Sequence, residues 1–268
     1  MPSRARRNPT EIDCQAVTAD PLAPLTELPG VAEASESARE ALGRAHRHRA
    51  NLRGWPVTAA EASLRAARAS SVLDGGPVRL EDLADAGTIS DPVFGGALRV
   101  AQALEGGEGP IVGIWRRAPL QALARLHMLA AAGQVDDEHL GRPRADAGVG
   151  PRLELLAELV NGRTRAPAPV IAAVLHGELL TLKPFGSSDG VVARAVSRLV
   201  TIAGGLDPHG LGVPEVSWMR QPAAYRDAAQ GFADGTPEGV GAWLVLCCGA
   251  MQAGAKEALA IAESMSNR

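Results

Sequence analysis

Residues 171–194, IAAVLHGELLTLKPFGSSDGVVAR, restrict the fold of this chain more than any other stretch. The apolar run up to Leu182 has no strand alternation and reads as a helix. Lys183 to Ser188 then form a tight Pro/Gly/Ser turn, because proline cannot continue a helix and glycine and serine suit turn geometry. A second helix opens at Gly190. Backbone N–H groups gathered at such a turn and helix start can hold an anion.

The rest of the composition agrees with helices. At 268 residues and 46% apolar content the chain can bury a sizeable core, as one large domain or two small ones. Aromatics make up only 3%, so alanine, leucine and valine supply the burial, which favours closely packed helices over a sandwich built on large rings. A formal charge of -3 and a pI near 6.1 argue against a general partner for nucleic acid or an acidic membrane surface. Cys14, Cys247 and Cys248 have neither metal-ligand spacing nor a disulfide framework, and a reducing cytoplasm is expected. The MPSRARRN start lacks a following apolar segment, and no uninterrupted apolar run of membrane-spanning length is read from the sequence. Arginine supplies nearly all the basic residues, a bias like that of a high-GC genome. Lys183 and Lys256 are the only lysines.

Along the chain, residues 1–30 read as a mobile tail, followed by an exposed amphipathic helix from Val31 to about Arg53. His46 and His48, two apart, do not share a helical face and are expected at a solvated basic end. Thr58 and Glu61 form a T-x-x-E capping box after Pro56, predicting a helix from 57 that stops at Asp74-Gly75-Gly76. Short helices are expected around 80–86 and 93–105, then a long one over 117–132 with Leu123, Leu126 and Met128 to Ala131 facing the core. Its His127 is expected as a hydrogen-bonded core histidine. GGLDPHGLGVP is a turn-rich connector, and helices close the chain over PAAYRDAAQGF and from Thr236 onward. Cys247 and Cys248 serve there as small apolar core residues.

The 171–194 stretch resembles the signature of the Fic (Fido) family, HPFx(D/E)GNGRxxR, which joins two buried helices and carries AMP transfer from ATP to a protein hydroxyl. Lys183 stands at the position of the catalytic histidine. Pro184, Phe185, Gly190 and Arg194 match, whereas Ser187 replaces the acidic metal ligand, Ser188 the first glycine, Asp189 the asparagine and Val191 the first arginine. Upstream, Ser70, Asp74 and Gly75 look like the family's inhibitory pattern (S/T)xxxE(G/N), with Asp for Glu. His176, one heptad before Lys183, and the order of APLQALARLHMLAAAG, the Gly-Arg-Pro-Arg segment and RLELLAELVNG extend the resemblance over about residues 57–250. The chain looks like a divergent, actinobacterial-type member with a degenerate motif.

The resemblance implies an all-α fold with the signature turn between two core helices. It also implies a β-hairpin flap at 141–150, which RPRADAGVG would make short or irregular. The implied organisation is a tail over 1–30, an N-terminal helical region over 31–115 containing an inhibitory-like helix at 57–75, and a Fic-like core over 116–268. It implies a nucleotide or phosphate site at Lys183, Phe185, Gly186, Ser187, Ser188, Asp189, Gly190 and Arg194, taking ATP or another nucleotide with Mg²⁺, for which Asp189 is a weak ligand. Asp74 would pair with Arg194.

Lysine at 183 has no lone pair to accept a proton at neutral pH, although its ammonium can hold a phosphate or pair with Asp189. His176 lies about 10.5 Å along the helix and cannot reach the same proton. The expectation is a pseudoenzyme that binds a nucleotide or phosphate weakly and regulates or scaffolds a protein partner, with no role on nucleic acid or membrane. Two alternatives stay open: a divergent nucleotidyl or phosphoryl transferase using Lys183 and Asp189, and a ligand-free helical interaction module. In the last case the turn at 184–190 would be filled by side chains.

Overall fold

Prolines start half of the α-helices among the described residues. The computed structural model describes residues 20–78, 84–85, 88–89 and 91–266, and among them are α1 (Ala23–Thr26), α2 (Val31–Arg47), α3 (Asn51–Leu73), α4 (Pro92–Leu104), α5 (Pro110–Trp115), α6 (Pro119–Ala131), α7 (Val149–Glu158), α8 (Ala168–Leu182), α9 (Asp189–Ala203), α10 (Pro214–Arg220), α11 (Pro222–Ala233) and α12 (Pro237–Ser266). Proline begins six of the last nine, where its missing N–H belongs to a group that has no intrahelical partner in any case. Side-chain caps complete two of these starts: Asp91 accepts the Phe94 N–H at 2.6 Å, and Thr236 accepts the Gly239 N–H at 3.1 Å.

The α8–α9 hairpin lies at the centre. Nine of the fifteen residues of α8 are buried, and twelve of the fifteen in α9. One core gathers Leu104, Leu126, Leu175, Leu179, Val196 and Leu199 with Cys248 and Met251. A second places Trp218, Tyr225, Phe232 and Trp243 against the other side of α8. Gly177 permits that approach, because a Cβ there would sit 2.7 Å from both Phe232 and Trp243. The Trp243 indole N–H donates to the Ala173 carbonyl at 2.8 Å. Cys247 and Cys248 are fully buried, as expected of small apolar residues.

All-α architecture is therefore the observed class, with one minimal exception: Ala84–Asp85 pairs antiparallel with Thr88–Ile89. Of the helix expected over 80–86, Ala84–Asp85 is strand instead, and residues 80–83 and 86 lie outside the described residues, as do residues 1–19 with Cys14 and the MPSRARRN start. The tail expected over 1–30 is shortened at its end, since α1 occupies 23–26 and Leu22 is buried in the second core. Helix α5 and helix α10, inside the GGLDPHGLGVPEVSW region, were not read from the sequence.

Several local expectations are corrected. The helix expected to 53 breaks after Arg47 and restarts at Asn51, so α3 runs through Pro56. Proline removes one helical hydrogen bond there, and the alanine-lined face of α3 compensates by packing on α4, α10 and α12. Thr58 does not cap a helix: its hydroxyl donates to Asn51 Oδ1 at 2.8 Å, while Asn51 Nδ2 donates to the Ala45 carbonyl at 2.8 Å and pins the joint. His46 is not solvated, because its Nε2 lies 2.7 Å from buried Asp207. Met128 points outward, 49% exposed. Finally, α12 is long and apolar enough by length and composition to cross a bilayer, which the sequence reading did not register; half of that window is buried inside the protein.

Candidate functional site

The turn between α8 and α9 is held by side chains against backbone strain. Lys183 caps α8 in the left-handed conformation at φ 45°, and Ser188 precedes α9 at φ 51°. They are the two non-glycine residues with positive φ among those described, a conformation that costs a side-chain-bearing residue about 1 kcal/mol or more. Asp189 folds back so that its Oδ1 accepts the Phe185 N–H at 2.9 Å, while the Gly186 N–H goes to the Lys183 carbonyl at 3.3 Å. Burial pushes the Asp189 carboxyl above its ordinary range, opposed by the Phe185 amide, Arg144 and Lys183. The pairing expected between Asp189 and Lys183 is thus reduced to a charge attraction; the hydrogen bond goes to the Phe185 N–H.

Arg144 clasps the turn from outside, a role no sequence signal announced. Its N–H donates to the Pro184 carbonyl at 2.7 Å, its Nε to Lys183 O at 2.9 Å and its Nη2 to Leu182 O at 3.0 Å. The guanidinium also pairs with Asp146. This segment, 141–148, has no strand, so the expected flap is irregular backbone laid against the signature turn.

Beneath it, His127 is buried and stacks on Phe185 with ring centres 4.0 Å apart. Its Nδ1 accepts the Gly141 N–H at 2.9 Å, which leaves Nε2 to carry the proton and donate to Ser187 Oγ at 3.1 Å. Burial lowers its pKa. The hydrogen-bonded core histidine expected here therefore supports the signature turn, and it is a donor to Ser187, not a base for it.

Asp74 and Arg194, 120 residues apart, meet at the start of α9. Arg194 Nη2 donates to Asp74 Oδ1 at 2.5 Å, while the Val191 N–H donates to Asp74 Oδ2 at 2.9 Å. Ser70 completes the clamp: its hydroxyl accepts from Arg194 Nε at 2.8 Å and its carbonyl from Nη2 at 3.0 Å. Arg194 is 2% exposed and Asp74 20%. Burial opposes the arginine's charge, but Asp74 and the Tyr225 oxygen outweigh it and raise the pKa. Gly190 is required by this arrangement, because a Cβ would overlap both carboxylate oxygens of Asp74. Gly75, at φ 90°, lets the chain leave α3 directly after the pair.

An open cleft of about 690 Å³ lies beside these groups, lined by Asp74, Lys183, Ser188, Asp189, Gly190 and Arg194 together with Tyr225, Arg226 and Gln230. Lys183 and Arg226 are exposed. Phe185, Gly186 and Ser187 do not line it, nor do Ser70 and Gly75, which belong to the packing around it. His176 is also outside the cleft, fully buried with Nε2 2.8 Å from the Tyr225 hydroxyl. Burial pushes its pKa well down, aided by Arg194, and burial raises that of Tyr225. Arg226 and Tyr225 were missed at sequence level, since nothing in PAAYRDAAQGF marks them for this cleft.

Neither the family models nor the curated proteins offer a match to the chain. Among solved structures it is similar to a Fic family protein from Desulfovibrio desulfuricans G20, at 20% identity and a TM-score of 0.56, over 87% of this chain and 74% of that one. At that identity the likeness speaks for architecture, and the conclusion is one of fold: this chain has the all-α Fic fold, with its signature turn set between α8 and α9.

Proposed function

We propose that this is a Fic-fold pseudoenzyme, which takes a nucleotide or phosphate ligand weakly, does not transfer AMP, and regulates or scaffolds a protein partner. The observation that carries the reading is that two carboxylates of the chain itself occupy the anion-holding positions. Asp189 takes the Phe185 N–H of the turn, and Asp74 takes both the Val191 N–H at the start of α9 and the Arg194 guanidinium. An incoming phosphate would find these donors used and two negative charges beside it.

The proton chemistry points the same way. Lys183 is an exposed ammonium; His127 has its lone pair committed to Gly141; His176 is sealed behind Tyr225. The residues do not fit a bound Mg²⁺ either. Ser187 is a donor's partner under Phe185, and Asp189 could turn to a cation only by giving up the Phe185 N–H of the turn. A transferase built on Lys183 and Asp189 therefore lacks both base and metal carboxylate.

Calorimetry of the whole chain with ATP and with inorganic phosphate, with and without Mg²⁺, tests the reading alongside labelling from α-labelled ATP. The expected result is weak, Mg²⁺-independent binding and no labelling; labelling abolished by Lys183→Ala refutes it. A ligand-free module is the second reading, favoured by the filling of the turn by Asp189. Complete absence of binding, in wild type and in Asp74→Ala alike, selects it.

A further inference from the structure

Beside the cleft lies a second concavity of opposite character. An apolar trough of about 500 Å³ runs between α1, α7, α8 and α11, walled by Leu22, Leu25, Leu155, Leu159, Val174 and Phe232. Its own charges are cancelled: Arg152 Nε lies 2.6 Å from Glu178, and Arg163 pairs with Glu158. Thr181 and Ala233 line both this trough and the cleft. Both are small. The Thr181 hydroxyl is turned inward onto the Gly177 carbonyl at 2.9 Å, which presents the less polar side of the residue to the junction.

On the cleft side of that junction, Lys183 and Arg226 are exposed, and neither is in an ion pair or side-chain hydrogen bond with a described residue. Arg194, by contrast, is committed to Asp74 and Ser70. Two available cations on one side of a small-residue saddle and a charge-neutral apolar trough on the other make a single surface with a polar end and an apolar end.

We infer that the cleft and trough together bind one amphiphile, with a phosphate-bearing head at Lys183 and Arg226 and a hydrocarbon tail lying past Thr181 and Ala233 into the trough. The inference rests on the proposed function only in taking a phosphate-bearing ligand to enter the cleft. It adds where most of the affinity comes from. A tail in the trough contributes with each methylene that leaves water, whereas a head held by two exposed side chains contributes little.

The test is calorimetry of the whole chain with inorganic phosphate, butyl phosphate and octyl phosphate, each monomeric, and with octanol. Affinity is expected to rise about two- to fourfold per added methylene, with octyl phosphate far above inorganic phosphate and about two- to fivefold above octanol. Leu155→Asp alters a trough residue that is 47% exposed, so the fold should tolerate it, and it should flatten the rise with chain length. Ala233→Trp should do the same by filling the saddle. The pair Lys183→Ala, Arg226→Ala should bring octyl phosphate down to the level of octanol. Circular dichroism melting verifies that each variant is folded. Equal affinity for octyl and inorganic phosphate overturns the amphiphile while leaving the pseudoenzyme reading in place. A chain-length rise that persists unchanged in both Leu155→Asp and Ala233→Trp overturns the placement of the tail. Binding of neither phosphate overturns both readings.

Discussion

Removing Asp74 tests at once the packing of α3 on α9 and the idea that the chain supplies its own anion. In Asp74→Ala, Arg194 keeps its two bonds to Ser70 but loses its carboxylate partner, and the Val191 N–H loses its acceptor. Breaking a fully buried pair costs about 3–5 kcal/mol, because one charge is left without a partner. Asp74 is 20% exposed and lines the open cleft, so water partly replaces the carboxylate, and about 2–3 kcal/mol is the expected loss. Arg194→Met, which keeps most of the buried volume, should cost a similar amount. In the double variant neither charge is stranded, so the two losses should fall short of their sum by about 1.5–2 kcal/mol. Urea unfolding followed by fluorescence of the four tryptophans measures this. Coupling under about 0.5 kcal/mol would show that the two side chains act independently, and the clamp at the start of α9 would have to be abandoned.

Gly190→Ala should destabilise the native chain by about 1 kcal/mol or more, because its Cβ displaces the Asp74 carboxylate; in an Asp74→Ala background the same change should be neutral or stabilising by up to about 1 kcal/mol, since alanine is the better helix former. Unfolding midpoints giving the same sign in both backgrounds would contradict this. Ser188→Gly should stabilise by about 1 kcal/mol or less, the relief of a left-handed serine being partly offset by greater freedom of the unfolded chain. A clear loss of stability would mean that the serine side chain has a role beyond its backbone. The pKa values of His176 and His127 are lowered in the fold, so the unfolded chain binds their protons first: stability is full above about pH 6.5 and falls as pH drops below it, by up to about 1.4 kcal/mol per pH unit per histidine. Urea midpoints between pH 7.5 and 5.5 should show the fall, and His176→Gln should make it shallower; an unchanged slope would remove His176 as its source.

The legible parts of the fold were those written in nearest neighbours. Helices α4, α6 and α11 were read close to their observed positions, Thr236 marked α12, and the KPFGSSDG turn marked the α8–α9 junction, since turn chemistry and missing N–H groups act within a few residues. Short α5 and α10 escaped because six or seven residues are too few to show a helical period. The Thr58 capping box failed for a different reason. A local hydroxyl can cap a helix or bond elsewhere, and Asn51 offered the better partner once α2 and α3 had packed.

In the site, the sequence by itself determined what single side chains can do: a lysine at 183 has no free lone pair at neutral pH, a serine at 187 has no carboxylate, and a valine at 191 has no charge, whatever surrounds them. Resemblance also brought Asp74 and Arg194 together across 120 residues, and they do meet. Only tertiary structure decided what each side chain of the site meets. Asp189 turned back onto the Phe185 amide, Arg144 reached three carbonyls of the turn, His127 took its proton on the nitrogen facing Ser187, and Arg226 came from α11 to the rim of the cleft. The physical reason is range. A side chain's protonation chemistry is carried in its own covalent structure, whereas an anion site is a meeting of donors and charges from α3, α8, α9, α11 and the 141–148 segment, and packing alone sets which of them meet.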